Sequence, residues 1–337
     1  MAQTVRWGVL GTSRHAASTV IPALKAAPSG QVVAIASRDA YRARTYAEEQ
    51  GIPRSYGSYE ALLGDPEIDA VYIPLPNSLH REWTIRAAEA GKHVLCEKPL
   101  ALNAAEAQEM LEACRRAGVK LAEAFQWRHH PQAQRARELL RQGVIGDLRL
   151  IDAGFTFPLS RPNDIRLRPE VGGGALYDVG CYPIAVARYM TGAEPLTVTA
   201  QATWTPEGVD ETLAATLTFP GGVLAHINCS LRLPLRRYYE LVGTGGMLRV
   251  NRAYNPKDDA PGEVLQLGDD LAPVATFNTE RLNSYVLMAE DFNRALLDGT
   301  EVPFPAEDAV LNMRVIDAVY KAARSGGMVM VGETGES

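Results

Sequence analysis

The ten residues Gly91-Lys92-His93-Val94-Leu95-Cys96-Glu97-Lys98-Pro99-Leu100 decide the fold. Residues 93–96 read as a buried strand. Pro99 stops it, because proline brings no N–H to a ladder. The strand therefore ends on an acid and a base, Glu97 and Lys98. In an open parallel sheet, ligands bind beyond the carboxyl ends of the strands. Lys98 is thus aimed at a ligand, and an ammonium there points to proton chemistry coupled to hydride transfer rather than to cofactor storage.

Outward from this stretch, strands and helices alternate. Strands are expected at 5–10, 32–36, 70–73, 93–96 and 120–124, with helices over 16–26, 38–50, 79–90 and 104–117. Gly91 and Gly118 stand where helix C-termini favour glycine. This alternation predicts an α/β fold whose N-terminal domain, residues 1–124, is a Rossmann doubly wound parallel sheet. The first strand–helix turn, Gly8-Val9-Leu10-Gly11-Thr12-Ser13-Arg14-His15-Ala16, is a dinucleotide fingerprint with two substitutions. Gly11 keeps the first glycine, Ser13 replaces the second and Ala16 the third. The third position needs only a small residue for helix–strand packing. Ser13 brings bulk and a hydroxyl near the pyrophosphate, which backbone N–H groups at the helix start can still hold.

The second strand runs into Ser37-Arg38-Asp39, with Arg42 one turn later. A hydroxyl and two guanidiniums suit a 2′-phosphate, so the reading favours NADP(H). In the alternative, Arg38 stacks on adenine, Arg42 is a solvated charge and Asp39 holds a ribose hydroxyl, leaving NAD possible. The third strand leads into Pro74-Leu75-Pro76-Asn77-Ser78-Leu79-His80, where Asn77 or Ser78 is expected to cap the next helix. His80 either contacts the nicotinamide ribose or bonds to backbone at the helix start.

Beyond residue 124 the period changes. A helix closes near Gly143, and 149–157 reads as a strand. The stretches 197–205, 212–219 and 223–231 alternate strictly between apolar and polar positions. Period two predicts a large, mainly antiparallel open sheet in an α+β domain over 125–337. A helix over 175–190 covers one face. The Thr-rich face is either solvated or a sheet-to-sheet contact between copies. Late helices span 284–297 and 306–323. Gly172-Gly173-Gly174 opens the 175–190 helix, and Asp178 and Tyr182, four apart, share a face. They face a ligand cleft, or they are a dipole-stabilised aspartate and a core tyrosine.

With 337 residues, 46% apolar, 22% charged and a net charge of −6, the composition is that of a globular protein of two domains. No basic block points to nucleic acid, no polybasic amphipathic segment to a membrane surface, and no run of eighteen apolar residues to a span. Met1–Arg6 shows neither a twin arginine nor an apolar signal core, so the cytoplasm is expected. Cys96, Cys114, Cys181 and Cys229 form no Cys-x-x-Cys pair, and His129-His130 is a poor chelate, so reduced thiols and no metal are expected.

Several segments together resemble the Gfo/Idh/MocA oxidoreductases. They are Glu97-Lys98-Pro99, the 74–80 loop, Glu123-Ala124-Phe125-Gln126-Trp127-Arg128-His129-His130-Pro131, Gly172 through Tyr182, and Asn312-Met313-Arg314-Val315-Ile316-Asp317-Ala318. The branch with glucose–fructose oxidoreductase, NADP-dependent xylose dehydrogenase and dimeric dihydrodiol dehydrogenase is the most similar, because Tyr182 stands where inositol dehydrogenases carry histidine. The resemblance implies hydride transfer between a nicotinamide and a carbinol carbon of a sugar or cyclic polyol, a cis Lys98–Pro99 bond, and a dimer or dimer of dimers formed through the open sheet. It implies a cofactor lined by Gly11, Thr12, Ser13, Arg14, His15, Ser37, Arg38, Arg42, Pro74, Leu75, Asn77, His80, Glu97 and Lys98. Tyr182 is then the acid/base, Lys98 its electrostatic partner, and Asp178 the substrate anchor, with Trp127, Arg128 and Arg166 around the substrate. In an alternative assignment Lys98 itself carries the proton. Rival readings are a cofactor-sensing regulator of the same fold and a bilin or imine reductase; specificity rests on the loops 155–168 and 232–239.

Overall fold

The computed structural model describes residues 4–161 and 163–332. Residues 1–3 of the stretch read for a signal, and Pro162 of the 155–168 loop, lie outside them. Two compact units emerge, Met1–Gln126 with Asn283–Val310, and Trp127–Leu282 with Leu311–Ser337.

The first unit begins β1 (Val5–Leu10), α1 (Ile21–Ala26), β2 (Gly30–Ala36), α2 (Ala40–Gln50), β3 (Arg54–Tyr56), α3 (Tyr59–Leu63), β4 (Ala70–Ile73), α4 (His80–Glu89), β5 (His93–Glu97), α5 (Ala104–Ala117) and β6 (Leu121–Ala124). Among the described residues its strands form one six-stranded sheet in the order β3-β2-β1-β4-β5-β6. Every pairing in it is parallel. This is the doubly wound order with its switch point between β1 and β4, the place where such sheets hold a dinucleotide. Strands buried on both faces read as apolar runs, and β4 is buried at all four positions.

The second unit contains α6 (Pro131–Arg141), β7 (Leu148–Thr156), α7 (Cys181–Thr191), β8 (Thr197–Trp204), β9 (Asp210–Thr218), β10 (Leu224–Ser230), β11 (Arg236–Gly243), β12 (Gly246–Asn251), β13 (Glu263–Leu267) and β14 (Pro273–Asn278). It is followed by α8 (Ser284–Leu297), α9 (Ala306–Ser325) and β15 (Val329–Met330). Its strands form a nine-stranded sheet, β14-β13-β12-β11-β7-β10-β9-β8-β15. All its pairs are antiparallel except β7 with β10. Val198, Ala200, Leu213, Ala215, Leu217, Ala225, Ile227 and Cys229 are buried on the face that α7 covers. Thr199, Gln201, Ala214 and His226 are exposed on the other.

The segment 283–310 returns to the first unit, whereas the sequence reading leaves it with the second. The reason is packing. Phe292 of α8 sits 5.4 Å from the Trp7 ring of β1. The Trp7 indole N–H donates to Asn293 Oδ1 at 2.8 Å, and Ser29 N–H and Oγ both donate to Glu290 at 2.9 Å. A buried indole needs such a partner, and β1 offers none. α9 then begins in the first unit and ends in the second.

Candidate active site

In the first unit, Gly11 follows β1 with φ +117°, and its N–H donates to Ala36 O at 2.9 Å. A Cβ there would stand 2.9 Å from Leu75 Cδ2, so only glycine brings the turn this close to the 74–80 loop. Ser13 uses its hydroxyl oxygen as an acceptor and keeps the O–H to donate. Its Oγ accepts the Ala16 N–H at 3.0 Å, as a helix cap, and its carbonyl accepts the Tyr46 hydroxyl at 2.7 Å. Ala16 is fully buried, as close packing of the helix requires. The helix continues through a π-turn, Ala16–Val20, a feature frequent at functional sites. Arg14 and His15 are exposed beside it.

At the end of β2, Ser37 is buried and its N–H donates to Tyr56 O at 3.1 Å. Asp39 caps α2 by accepting the Arg42 N–H at 3.0 Å, and Arg42 also donates to Thr12 O at 3.3 Å. Arg38 is exposed. Burial pushes the Tyr59 phenol up, and the charges of Arg38 and Arg42 with a hydrogen bond from Arg38 pull it part-way back. The two guanidiniums therefore sit at one end of the sheet with Ser37, while Asp39 is turned to its own helix.

β5 delivers Glu97 and Lys98 as read, and the Lys98–Pro99 bond is cis. Glu97 Oε1 accepts the Tyr72 hydroxyl at 2.7 Å, and Glu97 Oε2 accepts the Lys98 N–H at 3.3 Å. His15 Nε2 lies 3.8 Å from Glu97 Oε1, and the His15 ring meets Tyr285 edge-on at 5.7 Å. Tyr72 and Tyr285 escaped the sequence reading. A phenol inside the aliphatic strand 70–73 was the available signal, since a buried hydroxyl needs a partner.

His80 takes the backbone alternative. It is fully buried, with ring nitrogens 2.8 Å from Leu75 O and 3.0 Å from Pro99 O. The ring lies between the segments before Asn77 and after Lys98; neutral, it has one N–H and donates to one of the two carbonyls, and the buried ring has no edge for a ribose. Burial pulls its pKa below the usual histidine value. Asn77 and Ser78 do not cap α4 either: they lie in a 3-10 turn, and the N-cap of α4 is Leu79. Pro74 and Leu75 are buried, and Asn77 is half-buried.

In the second unit the three glycines wrap a loop. Gly173 N–H donates to Arg168 O at 3.0 Å and Gly174 N–H to Arg166 O at 2.9 Å. The wrapped loop aims Arg166 back at the helix: its Nε donates to Asp178 Oδ2 at 2.6 Å and its Nη1 to Asp164 Oδ1 at 3.1 Å. The Asp178 charge, foremost, holds the Arg166 guanidinium above its ordinary range. Asp178 lies in a second π-turn, Leu176–Gly180, that opens α7. Tyr182 is 5% exposed and framed by Phe155 and Tyr254, each with its ring centroid 5.3 Å away. Phe155 and Tyr254 stack at 5.2 Å, and the Tyr254 hydroxyl donates to Tyr238 O at 3.0 Å. A cavity of about 750 Å³ in the same unit is lined by Leu159, Arg161, Asn163, Leu167 and Arg168, by Thr205, Pro206 and Glu207, and by Arg232.

Two expected substrate residues are buried. Trp127 is fully buried with its ring edge-on to Tyr189 at 5.6 Å, and Arg128 is 3% exposed. Both sit on the turn Gln126–His129, and Arg128 is about as buried as Tyr182. All four cysteines are buried and unbridged. Among the described residues no three metal-ligating side chains gather, and no helix is long and apolar enough to cross a membrane.

Residues 5–125 match the model of the oxidoreductase family with an NAD-binding Rossmann fold, and residues 133–249 match the GFO/IDH/MocA C-terminal domain. The chain belongs to the Gfo/Idh/MocA oxidoreductases. The D-xylose 1-dehydrogenase (NADP(+)) 2 of Haloferax volcanii is 41% identical over 325 residues, 96% of this chain and 98% of that protein. The trans-1,2-dihydrobenzene-1,2-diol dehydrogenase of Xenopus laevis is 38% identical over 249 residues, 73% and 74% of the two chains. Among solved structures, KijD10, a 3-ketoreductase from Actinomadura kijaniata in complex with NADP and TDP-benzene, superposes with a TM-score of 0.90 at 35% identity, covering 95% of this chain and 98% of that one. This Gfo/Idh/MocA protein is therefore an NAD(P)-dependent oxidoreductase. The Gly11 turn, which a Cβ would fill, and the Ser37–Arg42 end of the sheet fit the dinucleotide.

Proposed function

We propose that the protein is an NADP(H)-preferring dehydrogenase acting on a CH–OH group of a sugar, an aldose first and a cyclic polyol or dihydrodiol next. The observation that carries the reading is the head of α7, where a carboxylate gripped by Arg166 precedes a phenol set in an aromatic frame. When bound, the dinucleotide supplies the hydride acceptor or donor. The residues of the chain manage the proton and the substrate. Tyr182 is assigned the proton as general acid/base. A free phenol, with a pKa near ~10, is a poor base at neutral pH and needs a cation. Lys98 is assigned that part, and also donation to the substrate oxygen. Asp178, its carboxylate oriented by Arg166, anchors a substrate hydroxyl.

NADP(H) is favoured because Ser37, Arg38 and Arg42 bring a hydroxyl and two guanidiniums to the end of β2, a set suited to a 2′-phosphate, while Asp39 caps α2 by accepting the Arg42 N–H. Arg38→Asp is expected to move the NADP+/NAD+ ratio of kcat/KM towards NAD+ by roughly 10–100-fold, the worth of a charged hydrogen bond of ~1.5–3 kcal/mol. An unchanged ratio would make Arg38 a stacking residue. We assign pairing of two chains to the open face of the nine-stranded sheet, where Thr199, Gln201 and His226 are exposed; light scattering is expected to return the mass of a dimer or its multiple, and a monomer would remove the assignment.

The test of the function is cofactor reduction, followed by absorbance, with NADP+ or NAD+ against aldoses, inositols and trans-dihydrodiols. Oxidation of a nucleotide-linked keto sugar's alcohol partner belongs in the same panel, given the likeness to a 3-ketoreductase. Turnover of an aldose supports the reading. Silence with every alcohol would sink it.

A further inference from the structure

We infer that Asp210 is a positioning residue: as a carboxylate it holds the start of the helix that carries Asp178 and Tyr182. The inference deepens the proposed function and rests on it for the roles of those two side chains. Asp210 opens β9 and is 1% exposed. Its Oδ2 accepts the Leu176 N–H at 2.7 Å and its Oδ1 accepts the Tyr320 hydroxyl at 2.8 Å. Leu176 is the first residue of the π-turn, and Ala175 before it supplies no side-chain cap. Helix-start N–H groups have no acceptor within the helix, so a buried start must find one elsewhere. Here the acceptor comes from another strand. The position of the π-turn is therefore set by β9 and α9, through one carboxylate, rather than by a local cap. The positive end of the helix favours the anion in return.

The groups around Asp210 are Tyr320 and Arg324 of α9, Tyr177 of the π-turn, and Cys229 of β10, which also feels Asp178. Burial pushes Tyr320 and Cys229 up, so both stay neutral across the ordinary pH range. Burial also pushes Asp210 up to about 6, against the bonds from Leu176 and Tyr320 and the charge of Arg324. Protonation at Oδ1 reverses the Tyr320 bond, the carboxyl O–H donating to the phenol oxygen, and leaves Oδ2 a neutral and weaker acceptor for the Leu176 N–H. The sign for stability is opposite to the sign for function. With its folded pKa raised above the unfolded value of 3.8, Asp210 contributes stability below that value and loses it as pH rises through about 6.

The experiment combines two readouts on the full chain: backbone hydrogen exchange over 174–182 at pH 5 and pH 8, corrected for intrinsic rates, and kcat and KM over the same range. The wild type is expected to be protected at pH 8 and to open faster at pH 5. Asp210→Asn is expected to open fast at both and to lose ~10–10²-fold in kcat, the scale of a small misplacement, with KM raised because Asp178 shares the turn and the NADPH dissociation constant kept. Its melting temperature at pH 8 is expected to equal or exceed that of the wild type, so a fall in kcat is not a fall in folding. Tyr320→Phe removes a bond that lowers the Asp210 pKa, so the acid limb of kcat moves to higher pH. Unchanged exchange over 174–182 in Asp210→Asn overturns the inference, as does an acid limb that ignores Tyr320→Phe. If no substrate of the panel is turned over, the exchange result still decides the hold, and the failure belongs to the functional reading alone.

Discussion

Tyr182→Phe is expected to lower kcat by ~10²–10⁴-fold, the usual contribution of a positioned proton-transfer group, while the NADPH dissociation constant stays within experimental error. The substitution removes one oxygen and nothing else. The ring keeps its contacts with Phe155 and Tyr254, both 5.3 Å away, so the aromatic frame and the melting temperature are expected to survive. The residues assigned to the dinucleotide are in the other unit, which is why cofactor affinity serves as the internal control. Stopped-flow and steady-state turnover with the best panel substrate, beside a fluorescence titration with NADPH, separate the two quantities. Lys98→Met adds a second arm. If Lys98 acts only through the phenol, the double variant is no worse than Tyr182→Phe alone, because residues acting as one device are not additive, and any further loss measures its donation to the substrate oxygen. If Lys98 carries the proton itself, Tyr182→Phe turns over at a near-normal rate and Lys98→Met does not.

The parts of this chain that were legible in sequence share a physical cause. Strands of a parallel sheet are buried on both faces, so β1, β4 and β5 are short apolar runs between glycine stops, and their ends expose the residues that matter. β8, β9 and β10 are covered on one face only, so they alternate. The strands β11 to β14 carry neither signature. In β12, Met247 and Leu248 are both buried in succession, and β14 has no buried position at all, so period two is absent from both. β3 and α3 are too short to outvote the turn residues around them. The return of 283–310 to the first unit depends on the partner that Trp7 needs, which lies 286 positions away in the chain.

The site shows the same division. The places of Glu97 and Lys98 were readable because Pro99 stops their strand, and those of Asp178 and Tyr182 because both follow the glycine loop at 172–174. Arg166 bonds Asp178, and that bond depends on how Gly173 and Gly174 fold the loop back, which the sequence does not show. The burial of Trp127 and Arg128 was not readable, because it is a property of the packed turn. Asp210 was silent because an acid at the head of a strand, after Gly208 and Val209, reads as turn punctuation. Only the structure shows that it reaches a helix start 34 residues earlier.

Gly174→Ala tests that arrangement with the largest expected loss of stability. Gly174 has φ +135°, where a side chain is strained by ~1–3 kcal/mol. Its Cβ would stand 2.1 Å from Asp210 Oδ1 and 2.7 Å from the Tyr320 hydroxyl. Neither neighbour yields easily, because each is bonded to the other. Overpacking adds ~1–3 kcal/mol, for a total of ~2–6 kcal/mol, a large share of a domain stability of ~5–15 kcal/mol. Thermal unfolding is expected to drop by on the order of 10 °C. Two comparisons separate the causes. Gly91 has φ +72° with nothing within 4 Å of its Cβ, so Gly91→Ala measures backbone strain alone and is expected to lose about 1 kcal/mol. Gly174→Ala combined with Asp210→Ala removes the atom that clashes, so the pair is expected to fall short of the sum of the single losses by roughly 1–2 kcal/mol. A pair that adds, or a Gly174→Ala protein as stable as Gly91→Ala, would mean that the carboxylate moves aside freely, and a carboxylate that moves freely cannot be what fixes the helix bearing Asp178 and Tyr182.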